Sequence, residues 1–188
     1  MTDAANADPG WGAPRDVAFA LVPFVPPSMA RTGGDPLIVT RHLFLRFCSA
    51  IVLIGVVVLL LGTDPSSDGA VDLGPALAIL GAIGVALVVA AEVVGRRPLD
   101  CTSPRTLAGS FRTRFFVRLA LGEAAALIGF VALFVVDSPV PYFVGAVFTA
   151  VVFARLVPTR AHLAADQLRL RARGCTLDLV AALRGLDR

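Results

Sequence analysis

The stretch "FFVRLALGEAAALIGFVALFVV" (Phe115–Val136) is apolar enough to cross a bilayer, yet it carries an acid, Glu123, well inside it. A helix spans the hydrocarbon core with about 20 apolar residues. Three further blocks reach that length or come close to it: Leu43–Gly62, Leu73–Val94 and Val140–Val157. They are continuous runs, without the one-sided period of a surface helix or the alternation of a half-buried strand. The chain is 56% apolar and 16% charged, against about 25% charged in ordinary soluble domains. The expected fold is therefore all-α: an integral membrane four-helix bundle with up-down topology.

Charge orients it. All seventeen basic residues are Arg. Arg15, Arg31, Arg41 and Arg46 precede or open the first span. Arg96, Arg97, Arg105, Arg112, Arg114 and Arg118 crowd the connection between the second and third. Arg155, Arg160, Arg169, Arg171, Arg173, Arg184 and Arg188 end or follow the fourth. The other two connections, Thr63–Asp72 and Asp137–Pro139, hold Asp64, Asp68, Asp72 and Asp137 and no Arg. Positive residues stay on the cytoplasmic side, so both termini are expected there. Arginines gathered at span ends do not form a nucleic-acid surface, and no such partner is expected.

The chain divides into a tail at 1–40, a four-span bundle at 41–158 and a second tail at 159–188. Six prolines and four glycines in the first tail interrupt any regular element, and a disordered cytoplasmic segment is expected. In the second, Thr159 is placed to cap a helix that Gly174 ends, with Leu163, Leu168 and Leu170 giving it an apolar side. A further piece sets Leu177, Leu179, Val180 and Leu183 along one side. Basic amphipathic helices beside a membrane rest in its interface and meet anionic head groups. Lipid is thus one expected partner; a membrane protein or a second copy of the chain is another.

Soluble-enzyme chemistry has no seat. There is no glycine-rich phosphate loop, no GxSxG and no H-E-x-x-H. His42 and His162 lack ligand spacing, so neither a metal nor another cofactor is expected, and no catalytic residue is assigned. Cys48, Cys101 and Cys175 form no CxxC pair. Two of them should face a reducing compartment where disulfides are rare, and no disulfide is expected.

The intramembrane charges carry what functional signal there is. Arg46 and Arg118 stand in the first turns of their spans and can extend their aliphatic stems to the interface. Glu92 precedes Arg96 by four residues, the spacing of a shallow ion pair on one helix face. Glu123 lies about 10 Å into the core, taking a rise of about 1.5 Å per residue. A carboxyl there must be protonated, paired or turned toward donors. Gly122 and Ala126 beside it form a small-xxx-small pair suited to close helix contact. Two readings stay open: Glu123 pairs structurally with Arg46 or Arg118, or it exchanges a proton or binds a cation.

Two resemblances add to this. "LGAIGVAL" (Leu80–Leu87), Arg96-Arg97-Pro98 and the stretch around Glu123 resemble the helical hairpin of the rotary ATP synthase c subunit. That likeness implies that Glu123 is the proton-carrying carboxyl. More of the chain resembles small uncharacterised four-span bacterial membrane proteins, through Arg118, Ala120, Leu121, Glu123, Ala126 and Leu127, then Val157-Pro158-Thr159 and "DQLRL". This second likeness implies a multi-pass protein of the bacterial inner membrane and no known activity. The expected role is structural or accessory and non-enzymatic, with proton or cation handling as the alternative.

Overall fold

A computed structural model describes residues 8–22, 35–61 and 72–186. Among these the chain is helical, with no strand. Seven helices follow in order: α1 (Pro14–Ala20), α2 (Pro36–Leu61), α3 (Leu73–Gly95), α4 (Pro104–Val136), α5 (Val140–Leu156), α6 (Arg160–Ala172) and α7 (Leu179–Arg184). The helix ends follow from local chemistry. Prolines open α1, α2 and α4, where a missing N–H costs nothing. The Asp72 carboxylate accepts from Gly74 N–H at the start of α3 (3.1 Å). Thr159 caps α6 as expected, its hydroxyl accepting from His162 N–H (3.3 Å), and Gly174 follows the helix with φ +82°.

Helices α2, α3 and α4 are long and apolar enough to cross a membrane. The 17 residues of α5 amount to about 26 Å of helix, a little short of the core thickness. The helices fit a multi-pass membrane protein. Their outward surfaces agree: Leu60 is 80% exposed, and Val52, Leu59, Ile79, Val131, Phe134 and Val147 are also largely exposed. So much exposed aliphatic surface suits lipid, not water.

The chain divides into two compact units. The first combines the N-terminal part of the chain through Ser49, Pro98–Arg114 and Val157 to the C-terminus; the second combines Ala50–Arg97 and Phe115–Leu156. The third expected span, Phe115–Val136, coincides with the part of α4 in the second unit. With its 33 residues, α4 is about 50 Å long, more than the about 30 Å of a hydrocarbon core. Its first turns belong to the first unit instead.

In the second unit, Val58, Ala126, Leu133 and Tyr142 form a buried cluster. The Tyr142 hydroxyl donates to the Ile51 carbonyl. Gly145 of α5 lies so close to α4 that a Cβ would collide with the Ala125 carbonyl. Helices surrounded by lipid gain little from apolar transfer, so close van der Waals approach between small residues takes its place. Thr149 completes that contact: its hydroxyl lies 2.7 Å from Gly122 O and 3.1 Å from Gly145 O. It accepts from Ala126 N–H at 3.2 Å. The expected small-xxx-small pair, Gly122 and Ala126, thus does meet another helix.

The first unit corrects three expectations. Part of the N-terminal tail is ordered: α1 lies within it, and Ala20 is buried. The irregularity expected from Pro and Gly is overridden by fastening to distant residues. Cys101 and Cys175 are bonded, with Cα atoms 6.0 Å apart. A separation of 74 residues carries no local spacing from which the pairing could be read. The C-terminal tail packs within the unit: Leu163 and Leu170 of α6 and Leu179 and Leu183 of α7 are buried, while Leu168, expected on the apolar side, is exposed. Gln167 clasps the two helices, its amide donating to Leu177 O (3.0 Å) and its carbonyl accepting from Leu179 N–H (2.6 Å). Residues 1–7, 23–34 and 62–71, with Arg31, Asp64 and Asp68, lie outside the described residues, as do 187–188.

Candidate functional site

Glu92 sits in the last turn of α3, Arg118 early in the apolar part of α4 and Arg155 in the last turn of α5. All three meet. Glu92 Oε1 is 3.6 Å from Arg118 Nη2 and 3.3 Å from Arg155 Nη1. Gly95 makes room for this, since a Cβ there would stand 3.0 Å from Arg118 Cζ. The expected Glu92–Arg96 pair is replaced: Arg96 is exposed and its backbone N–H, not its side chain, meets Glu92, at the carbonyl (3.1 Å). One acid bridging two arginines ties three helices together, which an i, i+4 pair on one helix could not do. The signal was present in the topology. The adjoining ends of the second, third and fourth spans lie at one level, so their charges are neighbours.

Glu123 is different. It is partly buried, and among the described residues no hydrogen bond or ion pair engages its carboxyl. Of the two expected partners, Arg118 is drawn to Glu92; Arg46 belongs to the first unit, where its Nε is buried without a hydrogen-bond partner. On one side of position 123 lie the contact residues Gly122, Ala125 and Ala126, all buried; on the other lie Phe116, Ala120 and Leu127, all exposed. The acid stands at the seam between a helix contact and an outward apolar face.

The first unit holds a cluster that sequence reasoning missed. Arg41 of α2 has only 1% of its side chain exposed. Its Nη2 donates to Asp8 Oδ2 (2.8 Å), its Nε to Pro158 O (2.9 Å) and its Nη1 to Gly10 O. The guanidinium also lies 5.5 Å from the Trp11 ring centre, within cation–π range. His42 contacts Trp11 O through Nε2 (2.9 Å). Arg160 adds a second cation, 3.4 Å from Asp8. Burial works against the Asp8 charge, but the Arg41 hydrogen bonds, Gly10 N–H and the charges of Arg41 and Arg160 outweigh it. The carboxyl is held below its usual range. An arginine desolvated this fully must be paired, so Arg41 anchors residues 8–11 to α2 and to Pro158. Only its position before an apolar run distinguished it in the sequence, and there it counted as one more cytoplasmic charge.

Among the described residues no group of three or more His, Cys, Asp or Glu is arranged to hold a metal ion. Comparison with protein families, with characterised proteins and with solved structures returns no match to this chain.

Proposed function

We propose that this protein is a non-enzymatic structural or accessory component of a bacterial inner membrane, spanning it four times with both termini in the cytoplasm. One observation carries the reading: Glu92, Arg118 and Arg155 spend their charge on each other, joining α3, α4 and α5. Thr149, the buried polar side chain at the α4–α5 contact, likewise bonds to backbone. A conducting path needs polar lining, and these groups serve packing instead. The exposed Arg169, Arg171 and Arg173 support contact with anionic lipid head groups, and the outward apolar faces leave room for a membrane-protein partner or a second copy.

A second reading, proton or cation handling at Glu123, is favoured by the unengaged carboxyl at the seam of α4. Both readings meet in one experiment on purified protein in lipid vesicles. Carbodiimide labelling of Glu123 is measured across pH, together with dye-reported proton flux for the native chain and Glu123→Gln. The structural reading expects no flux in either protein and equal amounts of folded protein. Flux that Glu123→Gln abolishes, with pH-dependent labelling of the native carboxyl, overturns it in favour of proton handling.

A further inference from the structure

The Cys101–Cys175 bond and the distribution of arginine make an uneasy pair. The bond joins the α3–α4 connection to the α6–α7 connection. Arginine flanks both connections, with Arg96, Arg97 and Arg105 around the first and Arg169, Arg171 and Arg173 before the second, and the positive-inside rule assigns such segments to the cytoplasm. Thiol buffers there reduce ordinary disulfides, and those that form are mostly transient or regulatory. We propose that Cys101–Cys175 is a reversible thiol–disulfide exchange site, whose co-reactant is a low-molecular-weight thiol or a dithiol redox protein. This rests on the orientation proposed above.

The two sulfurs are not equivalent. Cys175 is 9% exposed, whereas Cys101 is more open to solvent in the connection before α4. An incoming thiolate therefore attacks Cys101 Sγ. The Sγ–Sγ bond breaks, its electron pair leaves on Cys175 Sγ, and that thiolate takes up a proton. A second thiol from the co-reactant then attacks the mixed disulfide at the co-reactant's own sulfur, releasing Cys101 as a thiolate that takes up a proton. Two external thiols become one disulfide, and the protein gains two thiols; oxidation runs the same steps backward.

The consequence falls on the α6–α7 pair, which Gln167 already holds as one piece. Besides the covalent bond and its buried leucines, that pair is fastened within the unit by contacts bearing charge. Arg114 meets Asp166 at 2.5 Å, Arg184 meets Asp35 at 2.8 Å, and Arg112 Nη2 donates to Leu183 O at 3.4 Å. Oxidised, the pair is held whatever the ionic strength. Reduced, it depends on its buried leucines and on ion pairs, and salt weakens the ion pairs. The redox state thus decides whether the basic face carrying Arg169, Arg171 and Arg173 is covalently fixed or can be released.

The test uses the full chain in bacterial membranes, with Cys48→Ala removing the remaining thiol. Acid-quenched cells are treated with a mass-tagged maleimide before and after a permeant thiol oxidant and a permeant dithiol. In a cysteine-free chain, Arg169→Cys (71% exposed in the native protein) is probed in intact cells with an impermeant maleimide. The proposal expects Arg169→Cys to be shielded and the native pair to pass between tagged and untagged forms. It also expects the reduced form to lose α6–α7 to protease several-fold faster in high salt, with the oxidised form unchanged. A shielded position 169 with a cysteine pair that never changes state overturns the proposal and leaves the orientation standing. Labelling of position 169 from outside overturns the orientation and the proposal together, leaving a static staple.

Discussion

The two units of this protein are held together by opposite means. In the second, helices meet through the absence of side chain: Gly145 against the Ala125 carbonyl, and Gly122 beneath Val152 and Phe153. Its buried polar contacts reach backbone, as Thr149 and Tyr142 do, and its side-chain ion pairs gather at one place, where Glu92 meets Arg118 and Arg155. In the first, long side chains reach across the unit, from Arg41 to Asp8 and Pro158, from Arg114 to Asp166 and from Arg184 to Asp35, with a disulfide added. The contrast reflects solvent. Between helices in lipid, apolar burial gives no net drive, and close packing must supply the attraction. In contact with water, short irregular segments bury too little surface to offset their conformational entropy. Specific polar and covalent ties make up the difference.

The sharpest way to break the first unit is Arg41→Ala. Removing one partner of a buried pair costs about 3–5 kcal/mol, because the remaining charge is left desolvated. Here Asp8 can escape to water, so the expected result is release of residues 8–11 rather than global unfolding. Trp11, the one tryptophan of the chain, reports it directly through a red shift and faster quenching. Unchanged Trp11 emission in the variant would show that the segment docks by other means.

The corresponding blow to the second unit is Gly145→Val, with an overpacking cost of about 1–3 kcal/mol. The added methyls would push α5 away from Ala125 and break the Thr149 bonds. Thermal unfolding of detergent-solubilised protein should shift downward, while Trp11 emission stays native-like below the transition. Simultaneous loss of both signals would mean that the units do not respond independently.

Acid gives the mildest test. Because the folded-state pKa of Asp8 is depressed below 3.8, its contribution is present above about pH 4. It is lost as pH falls through the depressed value. Trp11 emission should hold through mildly acid solution and move only below that point. The change should be smaller than in Arg41→Ala, since Gly10 and Pro158 keep accepting from the guanidinium. A transition well above pH 4 would contradict the pairing.

Much of the architecture is legible in residue order because lipid imposes a length and an apolar content that each span must satisfy alone. Phe115–Val136, the Thr159 cap and the stop at Gly174 are of this kind, each set by residues within a few positions. Arg118 shows where that reading stops. Its place at a span end was plain, but its choice of Glu92 over Glu123 depends on which helices lie side by side. The Cys101–Cys175 bond and the seat of Arg41 depend on segments 74 and more than 100 residues apart. Local chemistry could set the helices, their ends and the sidedness of charge, since those energies arise between neighbours in the chain. Which acid each arginine takes, and whether two cysteines meet, was left to tertiary structure, because those energies exist only once distant segments are in contact.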